Sequence, residues 1–345
     1  MAQDIGIAVV GTGDWGANLV RNFAALPGVR LARLCDSDAT RLERTAARYP
    51  QARPAARVEE VASDPDVQGV VVSASAVQHH ALAKACLLGG KDVFVEKPLA
   101  LSVADAEELV KLARDRERIL MVGHLLLHHP AVRYMKELVK NGELGDLYYI
   151  TSQRVNLGKV RQDENALWSF APHDLSVILH LLEDEPMDVA ARGSAFLQGG
   201  VEDVVFLHLR FPGGRMAHVH VSWLDPHKLR QFTLVGSRKM VVFDDMEASE
   251  KIRVYDKGVD RGNQFVSYSD ALTVRSGDIV LPRISLQEPL RIECQHFVDC
   301  IRERRTPLTD GEGGLAVVRV LAAAQASLQA GGAPISVRPQ TAETR

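Results

Sequence analysis

The chain has 345 residues, of which 46% are hydrophobic and 25% are charged, and its formal net charge is −3. This composition is typical of a soluble globular protein, and the length suits two domains. The slightly negative charge excludes a basic surface field for nucleic acid, and no apolar run approaches the length of a membrane span. The four cysteines show no metal-ligand spacing, so we expect them to be reduced and we expect no metal site.

The start of the chain enters a β-branched run within a few residues and carries no cationic leader or signal-length apolar segment. We therefore expect a cytoplasmic protein that has neither a membrane nor a nucleic acid as partner.

Residues 1–122 predict a doubly wound parallel sheet, because short apolar strands alternate with helices. The run Gly69-Val70-Val71-Val72 is typical of a strand buried on both faces. The predicted strands are 5–10, 29–35, 69–72, 93–95 and 119–122. The predicted helices run from residue 16 to 26 and over 39–49, 80–88 and 103–116.

Residues 123–335 predict an α+β domain with a large, mostly antiparallel open sheet, because longer alternating strands are joined by short turns. Residues 256–289 read as mostly loop, and residues 336–345 as a polar C-terminal tail. The predicted strands are 147–155, 204–211, 215–222, 231–235 and 239–243. The predicted helices are 130–140, 293–303 and 314–330.

A glycine-rich loop, Gly11-Thr12-Gly13-Asp14-Trp15-Gly16, follows the first strand and opens a helix. Glycines in this pattern permit a tight turn, close approach of a pyrophosphate and packing of helix on strand. Asp36 lies 20 residues beyond Gly16, where a carboxylate can accept hydrogen bonds from an adenosine ribose. Its charge favours NAD over NADP, although Arg41 leaves a 2′-phosphate some support. The alternative is a glycine-rich turn beside a surface aspartate.

Glu96-Lys97-Pro98 ends a predicted buried strand, at the edge of the sheet where ligands bind in open α/β folds. A lysine there can donate or accept a proton if burial or neighbouring charge lowers its pKa. The alternative is a solvated surface lysine.

The chain resembles the Gfo/Idh/MocA family of oxidoreductases. The matching residues are the glycine-rich loop, Gln78-His79 and Gly90-Lys91-Asp92-Val93-Phe94-Val95-Glu96-Lys97-Pro98. Family members carry a histidine seventeen positions before the glutamate, which selects His79 rather than His80. The resemblance implies an NAD-binding Rossmann domain followed by a substrate and oligomerisation domain, with Lys97 beside the nicotinamide and the reacting carbinol. The implied cofactor-binding residues are Gly11, Thr12, Gly13, Asp14, Trp15, Gly16, Asp36, Ser37, Ser75, His79, Glu96 and Lys97.

The family also places a histidine at the start of a helix in the second domain, which selects His173 here. Pro172 suits a first helical turn, and a helix N-terminus disfavours imidazolium, so we expect His173 to be a neutral base. A structural capping role is the alternative. The aspartate that usually stands four residues earlier is Ser169 in this chain.

Two longer segments, residues 123–132 and 154–174, resemble bacterial dehydrogenases that oxidise UDP-N-acetylglucosamine, or its uronic acid form, to the 3-keto sugar. The resemblance implies a PLP-dependent aminotransferase as pathway partner, making 3-amino sugars for lipid A or surface polysaccharide. It also implies a homodimer or homotetramer.

The candidate substrate contacts are polar or aromatic residues of these segments together with the lysine. Arg154, Lys159 and Arg161 can hold a diphosphate, while Asn156 and Asn165 can bind sugar hydroxyls or an acetamido group. Trp168 packs on a sugar face or closes the core. The full set is Lys97, His124, Arg154, Asn156, Arg161, Asn165, Trp168 and His173. Lys97 and His173 are the catalytic candidates, and either can be the base.

Three other interpretations stay open at this point. The same chemistry can act on UDP-N-acetylglucosaminuronate. An NAD-dependent glycoside hydrolase would release sugar without net formation of NADH. A non-catalytic NAD-binding regulator would bind the cofactor without turnover.

Overall fold

The computed structural model describes residues 4–158, 160–162, 164–261, 272–285 and 287–337. The chain divides into two compact units. The first unit contains the residues up to 128 together with 287–319, and the second contains 129–286 together with the residues from 320 onward. Lys159 and residues 338–345 of the predicted tail lie outside the described residues.

The first unit is built on a six-stranded, wholly parallel sheet in the order β3-β2-β1-β4-β5-β6, so the predicted doubly wound sheet is confirmed. The strands are Ile5–Val10 (β1), Val29–Cys35 (β2), Arg53–Ala55 (β3), Gly69–Val72 (β4), Asp92–Glu96 (β5) and Leu120–Gly123 (β6). The helices are Gly16–Ala24 (α1), Ala39–Arg48 (α2), Val58–Ala62 (α3), Ala76–Leu88 (α4) and Val103–Asp115 (α5), with a 3-10 helix at Leu125–His128.

Two apolar layers sandwich this sheet, which explains why its strands are apolar on both faces. One layer packs Phe23 of α1 and Phe297 against Ile7 and Phe94. The other contains residues of α4 and α5, such as Leu87 and Leu109, together with Val318. Phe297 and Val318 come from the end of the chain, so the first unit is completed by residues that follow the second unit in sequence.

The winding direction reverses between β1 and its two neighbours, β2 and β4. Ligands in open α/β sheets bind at such a reversal, outside the carboxyl ends of the strands. The loops after β1, β2, β4 and β5 therefore meet at one edge, and these loops carry the predicted cofactor residues.

The second unit is built on a nine-stranded sheet in the order β14-β13-β12-β11-β7-β10-β9-β8-β15, which is antiparallel except between β7 and β10. The strands are Leu147–Val155 (β7), Asp188–Ser194 (β8), Val204–Arg210 (β9), Met216–Ser222 (β10), Leu229–Gly236 (β11), Met240–Asp244 (β12), Ile252–Arg261 (β13), Leu272–Val280 (β14) and Ile335–Ser336 (β15). The remaining helices are Pro130–Lys140 (α6), Ala166–Leu182 (α7), Pro289–Glu303 (α8) and Gly311–Gln329 (α9), with a 3-10 helix at Pro212–Gly214.

The prediction that residues 256–289 are mostly loop is wrong. β13 and β14 pair over much of this stretch, from Val254 opposite Val280 to Val259 opposite Val274. These are the last strands at one end of the sheet, and side chains such as Val274 (77% exposed) and Ile279 (53% exposed) stay in solvent. With little burial the strands lack a clear alternation of apolar and polar residues, so their pattern resembles that of a loop. Residues 262–271 lie outside the described residues.

All four cysteines are free and buried, as predicted. Within the described part of the chain, no helix has the length and apolar character that a membrane crossing requires.

Candidate active site

The glycine-rich loop joins β1 to α1, and two of its glycines are required by contact. Gly11 has φ +91°, and an added Cβ would lie 2.6 Å from the amide nitrogen of Ala74. A Cβ at Gly16 would lie 2.0 Å from the carbonyl oxygen of Gly11. Gly13 differs, because among the described residues its added Cβ would meet only the Arg41 Nη1, at 3.9 Å. The open space above Gly13 fits the approach of a dinucleotide pyrophosphate.

Asp36 is tied directly to this loop. Its Oδ2 accepts hydrogen bonds from the Thr12 amide (2.8 Å) and hydroxyl (3.0 Å), and its Oδ1 accepts one from the Asp38 amide (3.0 Å). Arg41 Nη1 lies 3.6 Å from Oδ2. Burial opposes ionisation of Asp36, but these hydrogen bonds outweigh it and its pKa is lowered. A charged carboxylate therefore stands where the adenosine ribose is expected.

The other loop residues predicted to touch the cofactor lie on the same edge of the first unit. Asp14, Ser37 and Ser75 are exposed in the loops after β1, β2 and β4. Ser73, which the sequence analysis missed, donates from its hydroxyl to the carbonyl of Gly11 at 2.7 Å. Ser73 thus stabilises the turn at Gly11, and the local sequence pattern does not predict that role.

Glu96 connects the glycine-rich loop to Lys97. Trp15 Nε1 donates to Glu96 Oε1 at 2.5 Å, and the backbone amide of Lys97 donates to Oε2 at 3.3 Å. Glu96 is buried, and burial raises its pKa to about 7 even though Trp15 and Lys97 favour the ionised form. Lys97 itself is half-buried at the carboxyl end of β5. One carboxylate therefore fixes both the cofactor loop and the backbone that carries the lysine.

His79 holds the segment that follows the lysine. Its ring is buried, with Nδ1 2.7 Å from the carbonyl oxygen of Pro98 and Nε2 3.1 Å from that of Ala74. Burial, assisted by the charge of Lys97, lowers the pKa of His79. A neutral ring carries one N–H and so donates to one of these two carbonyls. In the described structure His79 connects the β4–α4 loop with the turn after Lys97, which is itself a cis-proline turn.

His124 follows β6 and is the most unusual histidine of the first unit. It is 2% exposed, and neither ring nitrogen has a hydrogen-bond partner among the described residues. Burial first, and then the charge of Lys97, lowers its pKa to about 3. A neutral imidazole with two unsatisfied nitrogens is costly to bury, so this ring fits a ligand that supplies the missing partner.

In the second unit, the prediction that His173 starts a helix is wrong. α7 begins at Ala166, and the side chain of Asn165 caps it by accepting from the Trp168 amide at 3.1 Å. Pro172 lies inside this helix, so His173 is its eighth residue. The argument that a helix N-terminus keeps His173 neutral therefore fails, since such an effect is confined to the first turn. The ring is half-buried.

Asp174, the next residue, is fully buried and held from β7 by two side chains. Ser152 Oγ donates to its Oδ1 at 2.6 Å, and Arg154 Nε donates to its Oδ2 at 2.7 Å. Arg154 was predicted to hold a diphosphate, and in the structure its guanidinium is buried in this ion pair. The pair anchors α7 to the sheet one residue from His173.

The other predicted substrate contacts differ in their surroundings. Asn165 donates to Glu202 (2.7 Å) and Gln325 (3.0 Å), and Trp168 Nε1 also donates to Gln325 (3.2 Å). Asn156 is half-buried, while Arg161 is exposed and forms an ion pair with Glu164 (3.0 Å). The roles of Glu202 and Gln325 were not predicted, because both lie far from α7 in sequence. All eight assignments to substrate stay predictions.

No group of three or more histidine, cysteine or acidic side chains in the described part of the chain is arranged to hold a metal ion.

Residues 5–124 match the model of an oxidoreductase family with an NAD-binding Rossmann fold, and residues 132–242 match the C-terminal domain model of the same family. The chain belongs to the Gfo/Idh/MocA family of oxidoreductases. Its first unit is the NAD-binding Rossmann domain, and the open loop at Gly13 with the charged Asp36 fits that cofactor.

Individual relatives in this family carry different activities. The chain is 25% identical over 317 residues to UDP-N-acetylglucosamine 3-dehydrogenase of Acidithiobacillus ferrooxidans, covering 92% of this chain and 94% of that protein. The solved structure of that enzyme has the same fold, with TM-score 0.82 at 22% identity over 96% of this chain and 99% of that one.

One further relative and one further solved structure are also similar to this chain. A 2,7-anhydro-N-acetylneuraminate hydratase of Mediterraneibacter gnavus is 28% identical over 231 residues, which are 62% of this chain and only 60% of that protein's length. The structure of GenD2 from gentamicin A biosynthesis, solved in complex with NAD, has TM-score 0.82 at 22% identity, over 98% of both chains. These relatives are therefore named for different reactions and substrates.

We predict that Asp36→Asn weakens the preference for NAD over NADP by about tenfold, or ~1.4 kcal/mol. The substitution keeps the shape of the side chain but removes the charge that repels a 2′-phosphate, and Arg41 remains beside it. The matched control is Asp38→Asn, because Asp38 is exposed and Asn caps a helix equally well. Dissociation constants for both cofactors, measured by calorimetry, check the prediction. An unchanged ratio in Asp36→Asn would show that the carboxylate does not select the cofactor.

We predict that Arg154→Met lowers the free energy of unfolding by about 3–5 kcal/mol, because it leaves Asp174 buried without its counter-charge. The control Arg161→Met removes a solvent-exposed ion pair and is expected to cost less than about 1 kcal/mol. Both arginines were predicted to bind a diphosphate. Unfolding in guanidinium chloride is therefore measured together with the KM for a sugar nucleotide. A stable Arg154→Met protein with a strongly raised KM for a sugar nucleotide would assign Arg154 to substrate instead.

Proposed function

We propose that this protein oxidises the C3 hydroxyl of a UDP-N-acetylglucosamine-type sugar nucleotide to the 3-keto sugar, using NAD. The observation that carries the redox part is the Trp15–Glu96–Lys97 connection, which fixes a half-buried lysine to the loop of an NAD-binding domain. A regulator that only binds NAD has no need of a lysine held in this way.

The proposed reaction removes a hydride from the C3–H bond and a proton from the C3 hydroxyl, which leaves the ketone at C3. NAD, held by the glycine-rich loop and Asp36, would supply the hydride acceptor, and a side chain of this protein removes the hydroxyl proton. We assign proton removal to His173 and orientation of the carbinol oxygen to Lys97, through a hydrogen bond from its ammonium group. Neutral His124 is assigned to bind the substrate, since its two ring nitrogens have no partner in the described structure.

The sugar-nucleotide part of the proposal is supported by similarity over nearly the whole chain to a UDP-N-acetylglucosamine 3-dehydrogenase. The hydratase relative is also named for an N-acetylated amino sugar. Arg161 and Asn156 lie in the segment that connects β7 to α7, where a diphosphate and an acetamido group can be bound. The product would be a 3-keto sugar nucleotide, which a PLP-dependent aminotransferase can convert to a 3-amino sugar for lipid A or a surface polysaccharide.

A redox-neutral reaction is the second candidate, and the hydratase relative is the observation that favours it. Adding or removing water at a sugar leaves NAD unchanged after each turnover, and so would NAD-dependent glycoside hydrolysis. Accumulation of NADH therefore separates this class from the dehydrogenase.

Self-association is a further part of the proposal. Tyr149, Met216 and Phe206 lie on neighbouring strands of the second sheet and are 39%, 54% and 41% exposed. Exposed apolar side chains on one face of a large sheet favour a homodimer or homotetramer.

We predict that NADH absorbance rises when NAD and UDP-N-acetylglucosamine are added to the protein, and rises more slowly with UDP-N-acetylglucosaminuronate at equal concentration. A 2-oxo acid is included in a parallel sample, because it would reoxidise NADH that stays bound. A faster reaction with the uronate would transfer the proposal to that sugar. Consumption of either sugar without formation of NADH in the sample that lacks the 2-oxo acid would favour the redox-neutral class.

We predict that Lys97→Met and His173→Asn each lower turnover by about 10²–10⁴-fold, the usual contribution of a positioned proton-transfer group. Controls are Lys84→Met, which removes an exposed ion pair with Glu108, and His180→Asn, seven residues after His173 on α7. Affinity for NAD is measured in each variant, so that loss of cofactor is not mistaken for loss of chemistry. Turnover within a few-fold of wild type in both variants would contradict the catalytic assignment.

A further inference from the structure

Glu293 of α8 is a buried acid for which the proposed reaction has no use. Its side chain is 0% exposed, and neither carboxyl oxygen accepts a hydrogen bond from a described residue. An ionised carboxylate in this position would be strongly unfavourable, whereas a protonated one still needs an acceptor for its O–H.

The packing of α8 against β5 places this acid near Glu96. Asp92, Phe94 and Glu96 alternate along β5 and so project from one face of the sheet. At the start of the strand Asp92 accepts from Arg304 Nη1 at 2.6 Å, and in its middle Phe94 packs on Phe297 with ring centroids 5.7 Å apart.

Residues of α8 continue to face residues of β5 up to the end of the strand. Because Arg304 meets the first residue of β5 and Phe297 the third, α8 runs opposite to the strand. Glu293 lies one helical turn before Phe297 on the same side of α8, so the next side chain that it faces on β5 is Glu96.

The charges around this pair are few. Burial, and then the charge of Glu96, raises the pKa of Glu293 well above its ordinary value. Burial also raises the pKa of the neighbouring Cys294 thiol well above its usual range, so the thiol stays neutral. The charge of Lys97 favours the ionised form of Glu96 and lowers the pKa of His124, which is neutral.

We propose that Glu293 is a positioning residue, a permanently protonated carboxylic acid whose O–H donates to the carboxylate of Glu96. This hydrogen bond keeps Glu96 ionised, so that it accepts from Trp15 and holds the backbone of Lys97. The proton on Glu293 of α8 thereby helps to fix the position of the cofactor loop. No step of this proposal depends on the identity of the sugar.

Trp15 provides a reporter for the charge of Glu96. Tryptophan emission is titrated between pH 5 and 9 in wild type, Glu293→Gln and Glu293→Met, each minus the same protein carrying Trp15→Phe. Burial, Trp15 and Lys97 alone bring the pKa of Glu96 to about 7, so with the added donor from Glu293 the wild-type transition is expected below pH 7. Glu293→Gln keeps a neutral donor and should leave the midpoint within about 0.5 unit. Glu293→Met removes the donor from the ionised form, and should raise the midpoint by about 1–2 pH units.

Two results would overturn the proposal. If neither variant moves the midpoint, or if Trp15 senses no transition, Glu293 merely fills space. If both variants lower the midpoint, Glu293 is ionised and its removal relieves repulsion.

A second measurement does not need the Met variant. A protonated carboxyl group gives an infrared carbonyl band that shifts in D₂O, and wild type should keep this band at pH 9, where Glu96 is ionised, while Glu293→Gln lacks it. Absence of the band in wild type would also contradict the proposal.

Discussion

The hydrogen bond between Trp15 Nε1 and Glu96 is the contact on which the active side of the first unit depends. It joins the loop after β1 to the end of β5, two elements separated by 81 residues. Because the same carboxylate accepts from the Lys97 amide, the positions of the cofactor loop and of the lysine are linked. The glycines leave space for a dinucleotide at the loop. Glu96 fixes the position of the loop relative to Lys97.

In the second unit, several polar side chains that were predicted to bind the substrate form hydrogen bonds with other residues of the protein. Arg154 neutralises the buried Asp174, and Asn165 caps α7 while donating to Glu202 and Gln325. Such fully bonded networks rigidify the elements that carry reactive groups. We infer that they hold α7, and with it His173, while exposed residues between β7 and α7, such as Arg161, are left to recognise the substrate.

Much of the first unit was predictable because its signals are local. The glycine-rich loop, Asp36 and the Glu-Lys-Pro segment each lie within one strand–loop–helix unit, and the parallel sheet followed from the alternation of elements. The family was recognisable from these same residues. β3 and α3 were missed because they are too short to show a period.

The remaining features depend on contacts that a linear pattern does not contain. His173 was placed at a helix start because a proline precedes it, whereas Asn165 caps the helix seven residues earlier than that proline. Glu293 reads as an ordinary polar position of α8, and only the packing of α8 against β5 led us to place it beside Glu96. Arg154 was assigned to a diphosphate on its charge alone, since nothing in the sequence reveals that Asp174 is its partner.

The central claim is hydride transfer from C3 of an N-acetylglucosamine nucleotide to NAD. Its most direct test is incubation with UDP-N-acetylglucosamine deuterated at C3, followed by mass spectrometry of the nicotinamide product. The account predicts NADH that carries one deuterium, together with a 3-keto sugar nucleotide. NADH without deuterium, or turnover of the sugar with its C3 deuterium retained, would contradict it.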